Sequence, residues 1–125
     1  MSRVGPTLAL LIAIAATPAH ACGACDEDKI AATYDHGIVT RAAARRQVMV
    51  FCDVQGAALD AARLRRIAER TSGVDPTSLR TSAQPATLSF AVDPRKRSAQ
   101  SAATALQRAA PAGTRITIVR ILANG

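Results

Sequence analysis

Aromatic residues are almost missing from this chain of 125 residues, which has two phenylalanines, one tyrosine and no tryptophan. Proteins that bind single-stranded nucleic acids commonly stack the bases on aromatic side chains. The chain is strongly basic, with 16 lysines and arginines against 9 acidic residues, but the lack of stacking surfaces argues against a nucleic-acid partner. We interpret the arginines as solvated helix faces, with attraction to anionic lipid headgroups as a minor alternative.

Cysteine is also scarce, and its number is odd: the chain contains only Cys22, Cys25 and Cys52. In an oxidising compartment one thiol stays unpaired when the other two join. This excludes a scaffold in which every cysteine is part of a disulfide. Long apolar runs are absent too. No segment reaches the roughly 20 apolar residues of a membrane-spanning helix, so we expect no transmembrane span.

The first 21 residues have the pattern of a secretory signal. Arg3 gives a basic start, residues 8–16 are apolar, Pro18 breaks the stretch, and residues 19–21 form a small-x-small cleavage site. We therefore expect a periplasmic or secreted product that begins at Cys22. A lipoprotein signal also ends at a cysteine, so a lipid on Cys22 is an alternative. Such a lipid would remove that sulfur from any set of metal ligands.

The rest of the chain divides into a lead-in over residues 22–46 and a domain over residues 47–125. In the lead-in, Asp26 can cap a short helix, with Glu27 and Asp28 in its first turn. Three apolar side chains recur at a spacing of four and are expected on one face, and Gly37 weakens or ends this helix. These three are Ile30, Tyr34 and Ile38. Residues 41–46 are predicted to form a solvated connector.

The domain begins with a strand over residues 47–54, in which Cys52 shares a face with three valines, while Met49 and Phe51 point the other way. A helix over 57–72, a weak strand over 77–82, a strand over 86–92 and a second helix over about 93–110 follow. The last strand covers residues 115–122. We expect its Ile116, Ile118 and Leu122 on one face, and Thr117, Val119 and Ile121 on the other.

The element order strand, helix, strand, strand, helix, strand predicts an α+β, ferredoxin-like βαββαβ fold. Such a fold has a four-stranded antiparallel sheet with both helices on one face. Here the N-terminal helical lead-in precedes it.

Residues 47–121 resemble a heavy-metal-associated domain, the fold of small copper chaperones and of the N-terminal modules of metal-pumping ATPases. The resemblance lies in the order and length of the elements, in the run Ser-Gly-Val at residues 72–74, and in the run Leu-Ser-Phe-Ala-Val-Asp at 88–93. It implies the ferredoxin-like fold and a role in metal handling. The metal loop of the family, Gly-Met-x-Cys-x-x-Cys, is absent. Gly56 matches its glycine, but Ala57, Leu59 and Ala62 stand at the positions of the methionine and the two cysteines.

A C-x-x-C pair nevertheless occurs in the lead-in, as Cys22-Gly23-Ala24-Cys25. Thiolates are soft ligands that suit Cu(I) and Zn(II). His36 and Asp35 follow some ten residues later and could fold back as further ligands. We therefore predict a copper or zinc site formed by Cys22, Cys25 and His36, with Cys52 as a further candidate ligand. Because Cys52 alternates with valines, its ordinary interpretation is a small buried hydrophobic residue. It could act as a ligand only if the lead-in packed over its side of the sheet.

Two other interpretations remain open. Cys22 and Cys25 can form a local disulfide in an interaction module without catalytic activity, which would dock a periplasmic or membrane protein through its sheet. The pair also resembles the C-x-x-C of thiol oxidoreductases, but no strand precedes it and no partner proline loop is identifiable. Tyr34, Asp35 and His36 have the residue types of an acid–base cluster, yet no nucleophile accompanies them. We therefore expect a protein that is not an enzyme.

Overall fold

A computed structural model describes residues 25–56 and 60–123 of the chain. The predicted signal, Cys22, and the matches of Ala57 and Leu59 to the family's loop lie outside these residues. The described part contains four helices and four strands, in this order: α1 Asp26–Thr33, α2 His36–Ala44, β1 Val48–Gln55, α3 Ala61–Arg70, β2 Val74–Ala83, β3 Ala86–Val92, α4 Ala99–Ala109 and β4 Arg115–Leu122.

The predicted ferredoxin-like fold is confirmed. The strands form one antiparallel sheet in the order β2-β3-β1-β4. Strand β1 lies in the middle, and its residues Val48 and Asp53 pair with Val92 and Thr87 of β3. Apolar side chains of β1, β3, α3 and α4 form the larger of two cores, with Leu88, Phe90 and Leu106 completely buried. Small alanines on α4 allow that helix to lie close to the sheet.

The lead-in forms two helices, not the single short helix predicted for it. The first ends at Thr33, and Asp35 caps the second, since its Oδ1 accepts a hydrogen bond of 3.0 Å from the backbone N–H of Ile38. Tyr34 therefore leaves the predicted apolar stripe and lies 45% exposed. Helix α2 continues to Ala44, through residues that we expected to form a connector.

Helices α1 and α2 cover the second face of the sheet. Ile30, Ile38 and Ala42 from the lead-in form a smaller core with Met49 and Phe51 of β1. Ion pairs connect the lead-in to the sheet: Glu27 to Arg120, Lys29 to Asp53, Asp35 to Arg80, and Arg45 to Asp75. The sheet thus lies between two helical layers, with α1 and α2 on one side and α3 and α4 on the other.

A β-bulge changes the predicted faces of the last strand. The register between β1 and β4 shifts between Phe51 and Cys52, which pair with Arg120 and Ile118, so Val119 is an extra residue. Beyond the bulge Ile121 packs into the larger core and Leu122 into the smaller one. The prediction that paired Leu122 with Ile116 and Ile118 was therefore wrong. Strict alternation would have placed charged Arg120 on the side of the larger core.

The remaining differences concern the ends of elements. Asp60 caps α3, because its Oδ1 accepts a hydrogen bond from the N–H of Arg63, so the helix begins later than predicted. Ser98 caps α4 in the same way, and the residues before it form turns. The weak strand β2 is longer than predicted, since it extends from Val74 to Ala83 along β3.

Candidate metal site

Cys25 lies at the surface at the beginning of α1. It occupies the N-cap position, and its carbonyl accepts a hydrogen bond of 3.1 Å from the N–H of Lys29. Its thiol donates a hydrogen bond of 3.2 Å to Oδ2 of Asp28, one turn into the helix. A sulfur at this position is open to a metal ion from solvent.

The first turn of α1 is anchored by a contact that the sequence did not reveal. Glu27 Oε1 lies 2.8 Å from a guanidinium nitrogen of Arg120 on β4. This hydrogen bond and the positive charge of Arg120 lower the pKa of Glu27. More than ninety residues separate the two partners in the chain, so no local pattern points to the pair. It fixes Cys25 and Asp28 relative to the edge of the sheet.

His36 is exposed at the start of α2. Its neighbour Asp35 is already engaged: one carboxylate oxygen caps α2, and the other lies 3.2 Å from Arg80 of β2. The hydrogen bond from the Ile38 N–H is the main reason that the pKa of Asp35 is lowered. Asp35 therefore positions the second helix, and each of its carboxylate oxygens already has a protein partner. The His36 imidazole, in contrast, faces solvent.

Cys52 lies on the other side of the sheet from the lead-in. It is 1% exposed and belongs to the core beneath α3 and α4, paired with Leu88 and Ile118 on the neighbouring strands. Burial, with a smaller effect from Asp53, raises the pKa of its thiol to about 12. The condition for Cys52 to act as a ligand, a lead-in packed over its side, is not met. Its interpretation as a small buried hydrophobic residue agrees with this position.

Within residues 25–56 and 60–123, no three His, Cys, Asp or Glu side chains come together in a cluster that could hold a metal ion. The three predicted ligands that the structure describes, Cys25, His36 and Cys52, are thus not part of such a cluster. Cys25 and Asp28 lie side by side, His36 begins the next helix, Cys52 is across the sheet, and Cys22 falls outside these residues.

In this chain the loop between β1 and α3, where the family has its metal loop, contains no cysteine. Gly56 (φ +103°) comes so close to Gly113 that only a glycine fits there. Asp60 caps α3, and Ala62 lies in the first turn of that helix. Among the residues of this loop that the structure describes, none offers a sulfur ligand.

No family model, curated protein or solved structure matches this chain. The similarity to heavy-metal-associated domains thus stays a prediction at the level of the fold. None of the described helices combines the length and the apolar character needed to cross a bilayer.

Proposed function

We propose that this protein is a small exported domain that binds a soft transition metal ion, copper or zinc, through Cys22 and Cys25. Its role would be storage, delivery or sensing of the metal outside the cytoplasm, without catalysis. The observation that carries the proposal is the exposed thiol of Cys25 at the start of α1, three residues after a second cysteine. Two thiolates at this spacing suit Cu(I), which prefers soft ligands.

The proposal is narrower than the four-ligand set. It leaves out Cys52, which is buried in the core across the sheet from Cys25. His36 remains a candidate third ligand because it is exposed and belongs to the same helical layer. A Zn(II) site usually has four ligands, whereas a pair of thiolates is sufficient for Cu(I). The structure of the lead-in therefore favours Cu(I) as the first ion to test.

The alternative of a docking module with a Cys22–Cys25 disulfide has less support than the sequence suggested. That interpretation used the open face of the sheet as the docking surface. Met49, Phe51 and Ala91 on this face are buried beneath α1 and α2. A partner would have to bind a sheet edge or the outer surface of a helix.

Native mass spectrometry of the reduced, secreted protein tests the proposal. We expect uptake of one Cu(I), and its loss in the double variant Cys22→Ser/Cys25→Ser. Cys52→Ala is the matched control, because it removes one thiol outside the proposed site and should leave uptake unchanged. His36→Ala should weaken binding only if the imidazole is a ligand. An intact mass that carries a diacylglyceryl group on Cys22, or reduced protein that takes up no metal, would contradict the proposal.

A further inference from the structure

Several basic side chains form no ion pair in the described part of the chain, and four of them lie together on α3. Other basic side chains form ion pairs with acidic residues, namely Lys29, Arg45, Arg80, Arg95 and Arg120. Helix α3 carries Arg63, Arg65, Arg66 and Arg70, and across the described ranges none of the four takes part in such a pair. Among the described residues, helix α3 therefore presents a cluster of unpaired positive charge on the outer surface of its layer.

Three of these arginines line one groove. Arg63, Arg66 and Arg70 follow each other at intervals of three and four residues, so they lie along the same side of α3. Together with Ile67 of the same helix and Ala109 of α4, they line a cleft of about 380 Å³. We call this cleft the arginine groove. The Arg63 guanidinium donates a hydrogen bond of 3.3 Å to the carbonyl oxygen of Ala109, which fixes one end of the groove against α4.

Arg66 and Arg70 have no protein partner for their guanidinium groups in the part of the chain that the structure describes. The helix dipole favours Arg70, in the last turn of α3, but it does not account for Arg66 in the middle of the helix. Like charges placed three or four residues apart destabilise a helix slightly. An anion in the groove would remove this repulsion.

The surroundings restrict the chemistry of that anion. The lining consists of residues of α3 and the last residue of α4, with no strand edge among them, so an extended peptide finds no row of main-chain partners there. No aromatic side chain lines the groove for base stacking. Charge is then the feature that is recognised, and the fork of N–H donors on a guanidinium matches phosphate oxygens. From Arg63 to Arg70 the helix rises about 10 Å, which spans more than one phosphate group.

We propose that the arginine groove binds a ligand with neighbouring phosphate groups, either a soluble oligophosphate or the headgroups of anionic lipids. This site lies on α3 and α4, across the sheet from Cys25, and does not depend on metal binding. Arg66 and Arg70 make the main contacts with the phosphates. Arg63 contributes charge at the end where it contacts α4.

The test uses the purified protein in EDTA, so that metal ions play no part, with inorganic triphosphate and phosphatidylglycerol vesicles as probes. The variant Arg66→Gln/Arg70→Gln removes the two guanidiniums of the groove that have no protein partner among the described residues. The matched control is Arg41→Gln/Arg46→Gln, which removes the same charge from exposed positions on the opposite layer. Calorimetry measures binding of triphosphate, and sedimentation measures binding to vesicles. Circular dichroism checks that both variants fold.

We expect the groove variant to weaken binding of at least one probe about tenfold or more, and the control variant to weaken it less than about twofold. Loss of triphosphate binding identifies a soluble ligand, and loss confined to vesicles identifies lipid headgroups. Equal losses of binding in the two variants would show that net charge alone explains the binding, and would overturn the proposal. So would binding of neither probe, or equally tight binding of polyglutamate, which would indicate an acidic protein partner instead.

Discussion

The two described cysteines show how strongly burial changes what a side chain can do, because Cys25 is exposed and Cys52 is buried. Cys25 has its sulfur at the surface beside Asp28. Cys52 is enclosed by apolar side chains of three strands and two helices. The same functional group is thus open to metal ions at one position and a packing element at the other. The alternation with valines indicates that Cys52 is buried, although the predicted set of metal ligands also includes it.

The buried Cys52 thiol should make the protein less stable at alkaline pH. Its pKa is about 12 in the folded state and 9.0 ordinarily. The folded state therefore keeps a proton that the unfolded state has lost, and the resulting stability is fully present below pH 9 and disappears between pH 9 and 12. The slope approaches about 1.4 kcal/mol per pH unit.

Urea unfolding at pH 7, 9 and 10 measures this effect in the natural protein and in Cys52→Ala. The variant is less stable at neutral pH because it leaves a small cavity, but it should lose less stability between pH 9 and 10. Other titrating groups are common to both proteins and cancel in the comparison. Parallel declines would show that the thiol ionises as easily in the folded state as in the unfolded one.

Gly56 and Gly113 make it possible to measure separately two costs of replacing a glycine, backbone strain and steric collision. Gly56 and Gly113 both have positive φ, at +103° and +86°. A Cβ on Gly56 would collide with the carbonyl oxygen of Gly113, whereas a Cβ on Gly113 would meet nothing within 4 Å. We expect Gly113→Ala to cost about 1–2 kcal/mol of unfolding free energy from strain alone.

Gly56→Ala should cost distinctly more, because the two loops must also move apart. Chemical denaturation of both variants at neutral pH measures the difference. Equal costs would mean that the loops separate freely and that their close approach contributes nothing to stability.

At the scale of elements, the second helical layer changes the character of the sheet. In a plain ferredoxin-like fold one face of the sheet is open, and here α1 and α2 cover it. The alternation in β1 already contains the signal, since Met49 and Phe51 make its second face apolar. The sequence alone places those side chains on the second face and indicates no partner for them. The partner is the lead-in, whose Ile30 and Ile38 reach them from two separate helices.

Removing one apolar contact of the lead-in should therefore destabilise the whole domain. We expect Ile38→Ala, at a residue 8% exposed, to lower the unfolding free energy by about 2–5 kcal/mol. It should also increase binding of an apolar dye as Met49 and Phe51 become accessible. Tyr34→Ala is the control in the same layer, and because Tyr34 is 45% exposed its effect should be much smaller. A lead-in that contributes nothing to stability would give two similar small effects.

At the scale of the whole molecule, charge is divided between the layers. Acidic residues of the lead-in pair with basic residues of the sheet, as in Glu27 with Arg120 and Asp35 with Arg80. The arginines of α3, on the opposite surface, have no such partners in the described part of the chain. A net charge of +7 is thus not spread evenly. One surface carries the proposed thiol site and the other the proposed phosphate site.

Acid should weaken the attachment of the lead-in. The pKa values of Glu27 and Asp35 are lowered from 4.5 and 3.8 by hydrogen bonds and positive neighbours. Carboxylates with a lowered pKa stabilise the fold above their ordinary values, and this contribution is lost as pH falls through the folded values. We expect the urea midpoint to fall below about pH 4.5, and to fall less in 1 M NaCl, which screens exposed pairs.

The double variant Glu27→Gln/Asp35→Asn should reduce this acid-dependent fall. The matched control is Asp26→Asn/Glu69→Gln, which removes the same charge from exposed carboxylates that form no ion pair among the described residues. The control should keep the full fall. If the two double variants behaved alike, overall charge and not the ion pairs would set the acid sensitivity.

The order of strands and helices, the ferredoxin-like fold and the burial of Cys52 follow from the sequence, because alternation and helical periodicity are local patterns that each element carries. Tertiary contacts decided the rest. The bulge at Val119 exchanges the faces of Ile121 and Leu122, since the core accepts isoleucine there and excludes Arg120. The lead-in folds as two helices because Asp35 finds both a backbone N–H to cap and Arg80 to pair with. The cap of Asp35 on Ile38 is a local contact, whereas the ion pair of Asp35 with Arg80 and the pairing of β1 with β4 join residues far apart in the chain, which no local pattern encodes.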